Sequence, residues 1–592
     1  MRNKLPFSVL LSSLSLLSFT VDAVGPLSRS QISRLEQLNA QEQQRQQEQT
    51  KAQARRLQSA RGVNFDTAVQ QEISLPLKEA NCYPISQIYL TDYSSTPSDV
   101  YASRFYWALN SAKNQLKLRL PHCFGAQSIQ VLIKQIQNRI IEQGFVTTRV
   151  VVGEQNLHLG YLVLTIIPGT VRHTLVEDSS PYFRFTRLTA WTASAFKSGE
   201  LLNVRDIEQT LENLKRVPTA EANIEILPSH DESGKVGESD IKIRYAQGFP
   251  LRLTLGLDDS GSQSTGKWQG NVSFSVDNLI SANDLFYASF THSIKRHTDE
   301  DGRRASRNLY FYYSIPFGYW NLSAQHSQNR YHQDIFAAFN NRYLYAGDST
   351  TDKLILSYLL YRSAVKKLTI SAGLWSRQSR NYIDHAEIEV QRRRMAGWDV
   401  GLALKHYFGG ATLELNANYK RGTGGRGALP APEELYDEGT SRLQIISANI
   451  RFSNPFQIGD QPWQFAMDWS AQWNLTPLIL QDRFNIGGRY TVRGFDGELS
   501  LSGERGWTWR NELSWNVNGK GQSLYMAVDA GQVGGEATKT QLGRRLVGAA
   551  LGIRGGLNGF YYDFFVSKPI KKPDGFRTLR DPLIISPKRN HV

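Results

Sequence analysis

Charged groups of opposite sign set beside a glycine-rich run are the first chemistry this chain offers. Positions 483–506 read RFNIGGRYTVRGFDGELSLSGERG, with glycine at 487, 488, 494, 497, 503 and 506. Glycine at that density lets backbone fold tightly into a confined space. Arg493 sits inside the run, within Val492, Arg493, Gly494 and Phe495. Further on, SLYMAVDAGQV alternates Leu524, Met526 and Val528 with Ala527, Asp529 and Gly531, so Asp529 and Gly531 share the face opposite the apolar one. In RGWTWRNELSWNV the same parity sets Arg510 and Glu512 opposite Trp507, Trp509 and Trp515. A guanidinium meeting Asp529, with Glu512 beside it, makes a charge-assisted latch. On spacing alone, a flexible external loop with solvated charges is the favoured reading of these residues.

No second constellation supports catalysis. The 11 histidines are scattered, and no nucleophile, base and orienter can be assembled from them, so an enzyme is not expected. Acids such as Glu414 and Asp563 read as polar lining. Cys82 and Cys123 are the only cysteines, too few for a zinc site and too far apart for a C-x-x-C pair. In an oxidising compartment they form one disulfide. No metal or cofactor is implied. Lys+Arg 68 against Asp+Glu 54 leaves +14, which suits an anionic membrane surface or an acidic partner. No nucleic-acid motif accompanies the charge.

The elements that would position these residues have a period of two. After Phe249, LRLTLGLD alternates Leu251, Leu253, Leu255 and Leu257 with Arg252, Thr254, Gly256 and Asp258. KLTISAGLWSR and ATLELNANYK alternate in the same way. A sandwich would turn the greasy face inward; an outer-membrane barrel turns it to lipid and lines its lumen with polar groups. Connection lengths favour the barrel. Short connections near 277–284, 317–319, 363–366, 408–410, 455–461, 518–521 and 555–558 alternate with long ones near 296–305, 333–350, 381–393, 422–440, 475–504 and 535–542. About fifteen strands can be read to Ser567. Bacterial barrels use even numbers, so a sixteenth is expected, but the remaining SKPIKKPDGFRTLRDPLIISPKRNHV offers only PLIIS as a pairing segment.

The first half is organised differently. Arg2 and Lys4 precede an apolar stretch, Leu5 to Phe19, and a small-residue cleavage site at Ala23, which reads as a secretory signal peptide over 1–23. Positions 24–60 are rich in Gln, Arg, Glu and Ala. From Ser28 they suit either a polar helix or a loosely coiled leader. A linker at 61–79 follows, then two small α/β modules at 80–168 and 169–248. Their exposed strand edges suit capture of an extended chain by strand addition. The strand expected to do so carries Phe145, Val146, Thr147, Thr148 and Arg149.

The pair formed by VRGF at 492–495 and DAG at 529–531 resembles the barrel motifs of the TpsB transporters of two-partner secretion, the family of FhaC, ShlB and CdiB. The run IIEQGFVTTRVVV, the segment NLKRVPTAEANIEILP and GESD at 237–240 resemble that family's POTRA segments. Met526 stands where the family carries an aromatic residue. The resemblance implies a polar plug helix at 24–60, POTRA domains at 80–168 and 169–248, and a sixteen-stranded antiparallel transmembrane barrel over 249–592. It also implies that Arg493 lies in the sixth external loop, folded into the lumen against Asp529. The implied function is secretion, without ATP, of a large exoprotein (TpsA type) captured unfolded in the periplasm. Outer-membrane lipid and the outer-membrane assembly machinery are the other implied partners. A BamA-type insertase and a plugged porin are the competing readings.

Overall fold

The computed structural model describes residues 29–58, 62–65, 67, 74–76, 79, 81–93, 100–182, 184–229, 235–295, 302–336, 342–517, 521–557, 559–578, 583–585 and 588–591. The signal peptide expected at 1–23 and most of the 61–79 linker lie outside these residues. Between the polar helix and the loose coil, the chain takes the helix: α1 runs Arg29–Gln58 without a glycine or proline to break it.

The first α/β module comprises β1 (Tyr83–Ile85), β2 (Gln87–Asp92), α2 (Val100–Gln115), β3 (His122–Phe124), α3 (Ala126–Glu142), β4 (Arg149–Val151) and β5 (Tyr161–Ile167). Ile129, Leu132, Ile136 and Ile140 recur at helical spacing on α3 and pack with Phe105, Leu109, Leu162 and Leu164 into one core. The sheet order is β2-β5-β4, and β1 pairs with β3 alone. A Cys82–Cys123 disulfide ties that pair, with Cα atoms 5.2 Å apart. The second module comprises β6 (Thr170–Asp178), α4 (Thr186–Ala193), α5 (Val204–Leu214), β7 (Ala220–Pro228) and β8 (Glu238–Gln247), in sheet order β6-β8-β7.

One expected strand is corrected. Phe145–Thr148 form a turn, and only Arg149 belongs to β4. The cause is local. Gly144, at φ +98°, ends α3 and redirects the chain so that the Phe145 ring packs edge-on against Phe105 at 5.1 Å. Thr148 is buried, its carbonyl accepting from Gln137 Nε2 at 2.6 Å.

Beyond Leu251 the chain closes into an antiparallel barrel of sixteen strands, the last split in two. In order, the first eight are Leu251–Asp258, Gln269–Asp277, Leu285–Ser293, Arg304–Phe317, Trp320–Phe336, Arg342–Arg362, Lys366–Ile383 and Arg393–Phe408. The next seven are Ala411–Thr423, Gln444–Ile458, Gln461–Asn474, Arg505–Asn516, Ser523–Gly534, Arg545–Leu557 and Phe560–Lys571. The sixteenth is Leu583–Ile585 with Lys588–His591: the first piece pairs with Phe564–Val566, and the second reaches both the fifteenth strand and the first. Leu583–Ile585, the centre of PLIIS, therefore do pair, and Lys588–His591 complete closure.

Parity assigns the two faces. On the fourth strand Ser306, Asn308, Tyr310, Tyr312 and Ser314 are buried inward, while Leu309, Phe311, Ile315 and Phe317 face out. The connection expected over 333–350 is mostly strand. The fifth and sixth strands, 17 and 21 residues long, exceed the nine to eleven or so needed to cross a bilayer and project beyond it. Inward Tyr331 and Tyr345 on this extension pack with Leu35 of α1.

The second module is bolted to the barrel's short turns. Asn213 Nδ2 donates to Gly318 O at 2.8 Å and Arg216 Nη2 to Ser314 Oγ at 2.5 Å. Arg362, at the end of the sixth strand, donates to Glu208 at 3.0 Å and Glu212 at 2.5 Å on α5. Both of those acids also accept from linker backbone: Phe65 N–H at 2.5 Å and Val63 N–H at 3.0 Å, respectively. Asp206, two residues before Glu208, accepts from the Tyr319 hydroxyl of the neighbouring turn, and burial pushes its carboxyl up to about 6.

Candidate functional site

The long connection 475–504, between the eleventh and twelfth strands, folds into the lumen and is held at two places. At its tip, Arg493 donates from Nε to Asp529 Oδ2 at 2.7 Å and from Nη2 to Asp529 Oδ1 at 2.8 Å. Its backbone N–H reaches the same carboxylate at 3.0 Å, and Nη1 reaches Glu512 Oε2 at 2.6 Å. Strand register explains why these acids adjoin. Arg510 is paired with Asp529, and Glu512 with Ala527, so all three charged groups point inward from neighbouring strands. Arg554 Nη2 donates to the second oxygen of Glu512 at 2.6 Å, and Arg510 Nε lies 3.6 Å from Asp529. Asp529 is fully buried, so this side-on pairing acts where water does not compete.

The flanking residues fit the loop to the wall. Val492 is buried against Gly531, where a Cβ would stand 3.0 Å from the valine methyl. Gly494 takes φ +107°, and a Cβ there would meet Lys568 O at 2.6 Å, so both conformation and space require glycine. Phe495 is buried and meets Phe576 edge-on at 5.6 Å. Phe576 comes from the last external connection, a partner that no motif in the sequence marks.

The second hold is at the start of the loop. Asp482, in the turn Leu480–Asp482, accepts from Arg377 Nη2 at 2.6 Å and Nη1 at 3.0 Å, with Lys420 Nζ 3.7 Å away. Lys420 also lies over the Trp375 ring at 4.2 Å. These cations come from the seventh and ninth strands, whereas Asp529 stands on the thirteenth. The signal for them was parity: Trp375 and Lys420 fall on the polar faces of KLTISAGLWSR and ATLELNANYK, and Arg377 follows Trp375 by two. Nothing in the sequence marked Asp482 as their partner.

α1 threads the lumen and touches the loop at both ends. Gln44 Nε2 donates to Leu480 O at 2.9 Å and Arg483 O at 3.1 Å, and Arg45 Nη2 donates to Gly497 O at 2.9 Å. Further along, Asn39 Oδ1 accepts from the Tyr331 hydroxyl at 2.7 Å, and Gln49 Nε2 donates to Ser260 Oγ at 2.9 Å. A helix polar on every side is stable here because the wall is polar too. A cavity of about 590 Å³ remains beside it, lined by Gln44, Lys51, Arg377, Lys420 and Asp468 among others.

The expected POTRA strand is not assembled as a binding edge. Phe145 packs on the first module's core and Val146 against the second's, Thr147 adjoins Gly169, and Thr148 is buried, leaving Arg149 exposed on β4. Among the described residues, the edges that sheet order leaves unpaired are β2 in the first module and β7 and the part of β6 beyond Val171 in the second, while on β4 the Gln137 side chain takes Val150 N–H.

Two small α/β modules bolted beneath a barrel whose polar lumen holds a helix and an inward-folded loop define an outer-membrane transporter with periplasmic POTRA domains. Comparison with known proteins makes this specific. Residues 237–555 match the family model described as haemolysin secretion/activation protein ShlB/FhaC/HecB, residues 109–169 a ShlB-type POTRA domain, and residues 172–228 a POTRA domain. The chain is 33% identical over 534 residues to the outer membrane transporter CdiB-2 of Burkholderia pseudomallei (strain 1026b), covering 88% of each. It is 23% identical over 468 residues to the hemolysin transporter protein HpmB of Proteus mirabilis, covering 78% of this chain and 77% of the relative. The structure of CdiB from Acinetobacter baumannii superposes with a TM-score of 0.83 at 28% identity, covering 93% of this chain and 99% of that one. The chain belongs to the ShlB/FhaC/HecB family, the outer-membrane transporters of two-partner secretion.

Proposed function

We infer that the chain exports one large exoprotein of the TpsA type across the outer membrane. The partner reaches the periplasm unfolded, adds as an extended strand to free POTRA edges, passes through the barrel lumen and folds outside. Folding of the emerged chain makes passage one-way without a nucleotide. The observation that carries this reading is the occupant of the lumen. α1 meets the wall and loop through hydrogen bonds that water can replace at small net cost, and it has little apolar surface to re-expose on leaving. Arg493, held by Asp529 and Glu512, positions the inward loop during passage. Before function, an export signal at 1–23 is removed and the assembly machinery inserts the barrel, whose outward leucines then meet outer-membrane lipid.

The test is secretion. The chain is co-expressed with a large exoprotein of the TpsA type from the same genome, the partner is quantified in the medium, and heat-shifted gel mobility scores barrel folding. Release that depends on the chain supports the reading; a folded barrel with release no higher than in its absence contradicts it.

A further inference from the structure

α4 of the second POTRA domain is eight residues long and docks by one side. Thr189, Ala190, Thr192 and Ala193 are buried. The Thr189 hydroxyl donates to Ser281 O at 2.8 Å, Asn283 Nδ2 donates to Thr189 O at 2.6 Å, and Gly318 N–H donates to Thr192 O at 2.9 Å. These bonds set the helix on the turns 278–284 and 318–319, at the barrel's periplasmic end. The opposite side carries Trp191, 62% exposed, with Arg187 exposed one turn earlier. A tryptophan this exposed on a rigidly mounted helix calls for a partner.

Its surroundings say which. The Trp191 ring stands edge-on to Phe317 with centroids 4.6 Å apart, and Tyr182, just before the helix, stands edge-on to Phe249 at 6.2 Å. Phe317 is the last outward residue of the fourth strand, continuous with lipid-facing Leu309, Phe311 and Ile315. Trp320 of the fifth strand and Leu279 and Ile280 of the first turn are exposed at the same end. The helix therefore extends the barrel's aromatic rim, on the outer perimeter and away from the lumen. Trp and Tyr rings at such a rim sit at headgroup level, with an apolar body toward the acyl chains and a polar tip in water. Arg187 and Lys197, both exposed, suit anionic headgroups beside them.

We propose that the outward face of α4 is an interfacial membrane anchor, with Trp191 seated in the periplasmic leaflet at the headgroup–acyl boundary. Bound there, the second POTRA domain has a fixed height and orientation against the bilayer, and the periplasmic funnel does not swing about the barrel mouth.

The experiment uses the full chain in vesicles of phosphatidylethanolamine and phosphatidylglycerol, with an environment-sensitive fluorophore on a single introduced cysteine and lipids carrying a nitroxide near the headgroup. Three sites are compared. Arg187→Cys reports the proposed face, Leu356→Cys the barrel's lipid face, and Leu175→Cys the exposed sheet side of the same domain. The expected result is quenching at 187 of at least half that at 356, with little at 175. Adding Trp191→Glu is expected to lower the signal at 187 to the level at 175 while heat-shifted mobility is kept. Quenching at 187 no greater than at 175 overturns the proposal. A blue-shifted unquenched label then indicates cover by protein, and a red one indicates water. No quenching at 356 overturns the membrane placement of the barrel itself, and an undiminished signal in the Trp191→Glu chain removes the tryptophan from the anchor.

Discussion

Replacing Arg493 by alanine releases the lumen loop while leaving the barrel folded. The arginine side chain makes two hydrogen bonds to Asp529, at 2.7 and 2.8 Å, and one to Glu512 at 2.6 Å. Its loss leaves a fully buried aspartate with Arg510, 3.6 Å away, as its nearest remaining cation. Removing one partner of a buried pair costs about 3–5 kcal/mol, and approach by Arg510 recovers about 1 kcal/mol of that. A net cost of about 2–4 kcal/mol raises the loop-opening equilibrium roughly 30- to 700-fold. The strand ladder is untouched, because the arginine lies in the loop and not in the wall. Trypsin reads the effect: Arg489 is partly buried and bonded to Asp259 at 3.1 Å in the closed loop, and cleavage there tracks the open population when opening outpaces cutting. The expected result is cleavage faster by that factor with heat-shifted mobility unchanged. Cleavage within about threefold of the parent would refute the latch. Loss of the heat shift would instead make Arg493 a folding residue.

Three further outcomes follow from the same geometry. Gly494→Ala forces a side chain into φ +107° and against Lys568 O, so about 1–3 kcal/mol of loop docking is lost and trypsin sensitivity rises with Arg493 intact; unchanged protection would contradict it. Asp482→Asn leaves Arg377 and Lys420 without their shared carboxylate and loosens the turn that Gln44 grips. Planar-bilayer conductance should therefore show more frequent openings, and an unaltered record would count against the second hold. Asp206 gives a pH signature. Its folded pKa of about 6 lies above the ordinary 3.8, so the native state carries no penalty below pH 3.8 and the full cost of a buried carboxylate above pH 6. Asp206→Asn should stabilise the chain at pH 7.5 by up to about 3 kcal/mol and hardly at all at pH 4, measured by thermal unfolding; an equal effect at both values would contradict it.

How much of this was legible in the sequence depends on range. Period-two alternation is local, so strand faces, the inward parity of Asp529 and Glu512, and the alternation of turns and loops could be read directly. Strand ends could not. The fifth and sixth strands keep pairing well past the bilayer because inward Tyr331 and Tyr345 have α1 to pack against, and that contact joins residues some three hundred positions apart. The turn at Phe145–Thr148 was read as strand because its residues are β-formers; Gly144 and the ring of Phe105 overrode propensity. The sixteenth strand was faint because it is split and basic, and only pairing with both neighbours defines it. Arg493 facing Asp529 is expected only through family resemblance, since spacing alone favours a solvated loop. Asp482 with Arg377 had no motif to announce it, being an ordinary acid meeting lumen cations from distant strands.

Passage of the partner through the lumen can be observed directly. With the exoprotein stalled by a folded C-terminal fusion and carrying one cysteine in its translocating segment, Asn418→Cys on the inward face of the ninth strand should form a disulfide with it. Leu356→Cys on the outward face of the sixth should not. Crosslinking at 418 alone is the result this account requires; crosslinking at 356 without 418, or at neither while the stalled chain is exposed outside, would mean the partner travels by another route.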